Sequence, residues 1–533
     1  MQHKRSRIGA AALVIVTGLA AVAVGAGSGS GTAAAATVAK GAASYDPNAV
    51  LKMPLPTPQI LDPVRAVNAC DVNILSPIYD TLIRTDPKGK YIPGIAASWS
   101  APDASTFVLK LRPNVKFSDG TALDAEAVKA SITRGQTDPS SVVKTALSPI
   151  SAVTVVDPTT VKLTLSKPVV GLMTSLFAGR AGMIVSPTAV TAAGTAFGTT
   201  AANAVGAGPY KMTTFQSQGD YASTAWKGYW DSKNRKLAGL KLTNTQGATA
   251  GYGPFITRLA QGEFDALSMK EADIAVARAQ PNLVVKTGPS ELMMQLMINY
   301  NKAPFDNKAV RQALEYAVDR PALVAAIAQN LGVPADGPLP PTSWAYNPAL
   351  KGMYKYNPTK AKALLKKAGL DSVSFTASVP NTSLYVQLAT AVQDMLKKSN
   401  INMTIRQVAG QDINTELYVK KTDPAGVTGW SEAADPGDFF NVKYASNGSN
   451  NAAVTAIPGL DDLLAQGAAT TDQAKRAVAY KKAQKLIMDQ AIEVPLYFAP
   501  AVTVASKKVQ GIPKAYSTCV DANFVTPSIS MKK

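Results

Sequence analysis

Between residues 300 and 410 the sequence alternates helical and strand periodicity with short joints, and few architectures accept that alternation. Asp306 can cap a helix in which Val310, Ala313, Leu314, Ala317 and Val318 recur at helical spacing. Asn357-Pro358 supplies a second cap and a first-turn proline. Ala361, Leu364, Leu365 and Ala368 then form a buried stripe, and Gly369 stops the helix. Val373, Phe375, Ala377 and Val379 alternate as a strand. Leu384, Leu388, Val392, Met395 and Leu396 mark the next helix, and Met403 and Ile405 begin another strand. A helix joined tightly to a strand on either side predicts a parallel α/β lobe. Residues 80–170 read mainly as strand instead: Phe107, Leu109 and Leu111 alternate with polar residues, as do Val161, Leu163 and Leu165 after a turn at Asp157-Pro158. A helix from Asp124 through Ser131 is interspersed there. No internal repeat and no long linker divides the chain, so the lobes are expected to share one body.

Composition narrows the chemistry. With 46% hydrophobic and 17% charged residues over 533 positions, the chain can bury a sizeable core. Its single histidine is His3, inside a stretch with the anatomy of a secretory leader: Lys4, Arg5 and Arg7, then an uncharged apolar run from Ile8 to Ala26. Small-residue cleavage motifs follow at Val24-Gly25-Ala26 and within Thr32–Ala36, and residues 27–45 read as a tether. The alternative is an uncleaved anchor, since the apolar run just suffices to span a bilayer. A mature chain without imidazole has neither Ser-His-Asp nor Cys-His catalysis and no His-ligated zinc. Too few soft ligands remain to hold a free nickel-type cation, so no metal or cofactor is expected. Losing residues 1–36 lowers the formal charge from +18 to +15, dispersed rather than clustered, which argues against a nucleic-acid partner. The only cysteines, Cys70 and Cys519, lie in the exported part. An oxidising compartment and an even count suggest a disulfide, worth up to about 5 kcal/mol by loop-closure arguments; two separate buried thiols are the alternative.

Short segments spread over nearly the whole mature chain give a further lead. They are Leu61-Asp62-Pro63, Ile78-Tyr79-Asp80-Thr81-Leu82 and the run from Leu111-Arg112-Pro113 to Asp119-Gly120-Thr121. Gly206-Ala207-Gly208-Pro209-Tyr210-Lys211, Tyr229-Trp230 and Gly262-Glu263-Phe264-Asp265 come next, then Pro304-Phe305-Asp306, Val310–Leu314 and Val494-Pro495-Leu496-Tyr497. In this order they resemble family 5 of the extracytoplasmic solute-binding proteins of ABC importers, the class that carries oligopeptides, dipeptides and nickel complexes.

The resemblance implies an α/β fold: a bilobed periplasmic-binding-protein-like clamp with an extra domain, mixed sheets and a hinge between lobes. Residues 1–36 would be the leader, 37–79, 206–285 and 497–533 lobe I, 80–205 the extra domain and 286–496 lobe II. Cys70 and Cys519 would then both fall in lobe I. The implied role is a monomeric, non-enzymatic receptor in the periplasm or at the cell surface, without a lipid-anchoring cysteine. It would capture a small molecule or peptide, most simply a short peptide, and deliver it to the membrane subunits of an ABC permease. Two rivals are a cell-wall-associated binder of the same fold without a transport role, and a secreted hydrolase. The hydrolase needs an opposed carboxylate pair that nothing in the sequence marks out.

In relatives a carboxylate shortly after a Gly-Trp pairs with the ligand's amine. The corresponding stretch here is Gly429-Trp430-Ser431-Glu432-Ala433-Ala434-Asp435-Pro436, one residue short, so that the expected Asp is lost or replaced by Glu432. Glu432 reads as a site carboxylate or a solvated loop charge, and Trp430 as a cleft wall or a wedge at a strand end. Gly429 and Ser431 flank it. Trp344, in a proline-rich loop, and Asn68, at the lip of lobe I, are further candidates. Asp435 can touch the ligand or turn the chain around Pro436. Tyr497 is expected in the core near the hinge.

Overall fold

The computed structural model describes residues 45–55, 58–67, 71–86, 90–217, 219–244, 251–410, 412–431, 435–512 and 529–533. The leader, Asn68, Cys70, Glu432 and Cys519 lie outside the described residues.

The chain enters on strand β1 (Val50–Leu55) and then builds a small domain from β2 (Ala96–Asp103), β3 (Thr106–Leu111), helix α1 (Ala125–Thr137), β4 (Ile150–Asp157), β5 (Thr160–Leu165) and α2 (Val170–Ala178). The four strands form an antiparallel sheet in the order β2-β3-β5-β4. Alternation along β3 and β5 puts Phe107, Leu109, Val161 and Leu163 on one face, where Val128 and Ile132 of α1 and Phe177 of α2 cover them. Asp124 caps α1 by accepting from Ala127 N at 3.0 Å, and the helix runs past Ser131 to Thr137.

The return strands β6 (Tyr210–Phe215), β7 (Tyr221–Ala225) and β8 (Gly239–Asn244) add to β1, which lies parallel to β8 although almost 190 residues separate them. Three of the resembling segments meet here. The Trp230 indole donates to Asp80 at 2.9 Å and carries the guanidinium groups of Arg84 and Arg112 over its ring, 4.6 and 4.4 Å from the centroid. Arg84 also bridges to Asp231 at 2.9 Å. These are cation–π contacts between partly dehydrated groups, stronger than at an exposed site. Gly206 and Gly208 pass so close to Ile78 that a Cβ on either would lie under 3 Å from its carbonyl.

Helix α3 (Gly253–Ala260) and strand β9 (Ala266–Met269) lead to β10 (Leu283–Ile298), a strand of 16 residues. There follow α4 (Lys308–Ala317), α5 (Arg320–Ala326), α6 (Pro358–Lys367), β11 (Val373–Pro380), α7 (Ser383–Lys397), β12 (Ile401–Val408), β13 (Ala425–Ser431), α8 (Pro436–Lys443), α9 (Leu460–Ala468) and α10 (Gln473–Gln490). The cap of α4 is Asn307, one residue later than expected. Its side chain accepts from Ala309 N at 2.9 Å, whereas Asp306 bonds the preceding turn at Asn307 N. β11 and β12 are parallel, with α7 as the crossover.

The chain then comes back on β14 (Glu493–Ser506), giving the sheet order β9-β14-β10-β13-β11-β12. Alternate residues of β10 face opposite ways: Met294, Leu296 and Ile298 join the core beneath α4, α6 and α7, while Met293 joins the one beneath α8 and α10. No helix among the described residues is long and apolar enough to cross a membrane.

Candidate functional site

β10 and β14 pair with each other along most of their length. At one end β14 also pairs with β9, and at the other β10 also pairs with β13. Midway, Pro289 of β10 stands opposite Pro500 of β14, and the register breaks between Pro289 and Met293. Neither proline has an N–H to give, so the ladder is weakest at this crossover. Ser290 fills the gap, donating to Ala499 O and accepting from Leu292 N.

Beside this crossover lies the end of β13. Ser431, Trp430 and Gly429 pair with Leu292, Met293 and Met294. On its other side β13 meets β11 only at Ala425 and Gly426, so Gly429–Ser431 presents a half-buried main-chain edge with no strand against it among the described residues. Trp430 packs edge-on to Tyr418, 6.2 Å between ring centroids. Gly429 is required by space: a Cβ there would lie 2.8 Å from the Tyr385 hydroxyl and 3.0 Å from Leu292 Cδ1.

Asp435 is spread over two structural tasks. It is 1% exposed, caps α8 through Gly437 N at 2.8 Å, and takes both arms of Arg476 at 2.8 and 2.6 Å. Arg476 also donates to Gly467 O and lies 5.2 Å from the Trp344 ring, which itself packs on Tyr480 of α10. The fold thus gathers Trp344 and Asp435 around Arg476, and Gly429, Trp430 and Ser431 at the strand end. Burial, reinforced by the negative charge of Asp435, pushes the Asp438 carboxyl up to about 7. Tyr497 is fully buried on β14, opposite Met294 and just past the register break, in the core as expected.

Sequence reasoning missed a polar group at the junction. Lys270 and Glu271 follow β9 directly. Glu271 is 0% exposed, accepts from Tyr497 at 3.2 Å, and is held through its main-chain carbonyl by Gln329 at 3.2 Å. Burial raises its pKa, opposed by its own amide, by Lys270 and by Tyr497. Burial likewise depresses Lys270, against the pull of Glu271. Burial and then the charge of Glu271 push Tyr385 up to about 12. The only sequence signal was a charged pair abutting an apolar strand, which reads as surface. No group of His, Cys, Asp and Glu among the described residues is arranged to hold a metal ion.

The model for bacterial extracellular solute-binding proteins, family 5 Middle, matches residues 90–452. The glutathione-binding protein GsiB of Escherichia coli K12 is 30% identical over 470 residues, 85% of this chain and 89% of that protein. Among solved structures, the periplasmic binding protein AgaA of A. tumefaciens R10 with agropinic acid superposes with a TM-score of 0.78 at 25% identity, covering 91% of this chain and 99% of that one. DppA of Helicobacter pylori with the peptide STSA gives 0.78 at 22% identity, covering 91% and 98%.

Proposed function

Because the chain belongs to family 5 of the bacterial extracellular solute-binding proteins, the solute-capturing components of ABC importers, we propose that its solute is a short peptide or peptide-like compound. The observation that carries this reading is the unpaired edge of β13 at Gly429–Ser431, beside the crossover and flanked by an indole. An extended peptide satisfies such an edge with its own main chain, as strand addition does elsewhere. Trp430 supplies an apolar wall for a side chain. The named ligands of relatives, glutathione and the peptide STSA, are compatible with that geometry.

In this reading a solute that touches both lobes stabilises the closed arrangement, and the Pro289–Pro500 crossover is the place that yields. The protein acts as an exported monomer without enzymatic activity, released by cleavage within residues 1–36, and the permease subunits are its partner. The proposal keeps the lobe boundaries read from the sequence, with 80–205 as the extra domain and 286–496 as lobe II. Native mass spectrometry of the exported protein, purified without denaturation, is the test. Co-purifying masses spaced as short peptides support the proposal; one non-peptide mass overturns the substrate class and leaves the receptor role.

A further inference from the structure

The glycine-flanked Trp430 strand end has no described carboxylate beside it, yet the junction between the lobes holds one. Glu271 belongs to the turn after β9 on the first-lobe side. Its Oε1 accepts from Tyr497 of the shared strand, and its carbonyl is tied to Gln329, beyond α5 of the second lobe. The other oxygen, Oε2, is buried with no hydrogen-bond partner. Lys270, half-buried and adjacent in the chain, feels the negative charge of Glu271. The Tyr385 hydroxyl lies against Gly429 at the strand end, and burial followed by the charge of Glu271 disfavours its ionisation.

A buried carboxylate oxygen without a donor is costly, and folds seldom keep one without use. Lys270 offsets part of the negative charge without satisfying Oε2. Opening at the Pro289–Pro500 crossover would separate Tyr497 and Gln329 from their partners and uncover Oε2. Closing over a solute would bury the oxygen together with whatever donor the solute brings. The donor that suits an anionic oxygen in such a site is a primary ammonium.

We infer that Glu271 is the anionic anchor for the ligand's ammonium group, reached by a solute lying along Gly429–Ser431. This rests on the peptide reading above. It assigns the amine-binding role to the first-lobe side of the junction rather than to the loop after Trp430.

Calorimetric titration of the mature protein with the dipeptide Ala-Phe and with N-acetyl-Ala-Phe tests it, in wild type and in Glu271→Gln. The expected result is a loss of roughly ten- to hundredfold for Ala-Phe and little change for the acetylated probe. The ligand-free variant should melt no lower than wild type, because the substitution removes a buried charge that lacked a donor. Equal loss for both probes, or a lower melting temperature with unchanged selectivity, overturns the anchor while the peptide reading stands. A wild type that binds neither probe overturns the peptide reading, and the anchor with it. Should Glu271→Gln not fold, Glu271→Asp carries the test. Drawing the carboxylate back by one methylene must change Ala-Phe affinity several-fold and spare the acetylated probe; no change overturns the assignment.

Discussion

Replacing Arg476 by methionine removes a cation whose surroundings are known atom by atom. Two charge-assisted bonds to Asp435, at 2.8 and 2.6 Å, disappear with the bond to Gly467 O at 2.8 Å. Asp435 cannot turn to water, being 1% exposed, and Asp438 three residues on adds like charge. Breaking a buried pair by deleting one partner costs about 3–5 kcal/mol, most of it the stranded charge. Methionine keeps the apolar stem against Trp344, so little of the loss is packing. The same reasoning requires recovery: Asp435→Asn in the Arg476→Met background should restore at least about 1.5 kcal/mol, within the coupling measured for contacting groups. Urea unfolding followed by tryptophan emission measures both, since Trp344 sits on the guanidinium. A single-variant loss below about 1 kcal/mol, or a double variant no better than Arg476→Met alone, would refute the claim that this pair is a desolvated, mutually dependent unit.

Three further outcomes are expected. Gly429→Ala drives a Cβ to 2.8 Å from the Tyr385 hydroxyl, so thermal unfolding should show a loss of about 1–3 kcal/mol and solute binding should weaken with it. Trp430→Ala should weaken binding of the co-purified solute by about 2 kcal/mol in calorimetry; unchanged affinity removes the indole from the site. Asp438 has a folded pKa raised from the usual carboxyl range to about 7, so folding takes up a proton. Stability from this group is greatest near pH 4, falls as pH rises, and stays low above about pH 7. The difference between wild type and Asp438→Asn, read as melting temperature from pH 4.5 to 8, should therefore widen with pH; a constant difference sinks the assignment.

Local elements were legible wherever a short stretch decides its own conformation. Asn357 with Pro358, and the alternation of Val373 to Val379, announce a helix and a strand without help from the rest of the chain. Asp306 and Asn307 are both good caps, and only the chain's entry angle selects the second. The pairing of β10 with β14 was not legible, because Pro289 meets a partner more than two hundred positions away and prolines read as strand breakers. The candidate site divides in the same way. Gly429-Trp430 is a local signature. Asp435 looked equally suited to solute or turn until Arg476 appeared beside it. Glu271 owes its burial to Tyr497 and Gln329, which no window of sequence includes.

The shared strands also govern the order in which the polypeptide can become complete. A chain released from its N-terminus, whether by a ribosome or a translocation pore, delivers β1, β8 and β9 long before β14, the strand that sits between β9 and β10. The stretch from α4 to α10 is contiguous and can find its partners as it emerges. β9 and half of β10 must wait unpaired for a strand that arrives roughly two hundred residues later. Completion of the sheet is therefore gated by β14. A nonsense codon anywhere before β14 discards a seam common to both lobes rather than a tail, and a truncated product would expose two strand edges at once.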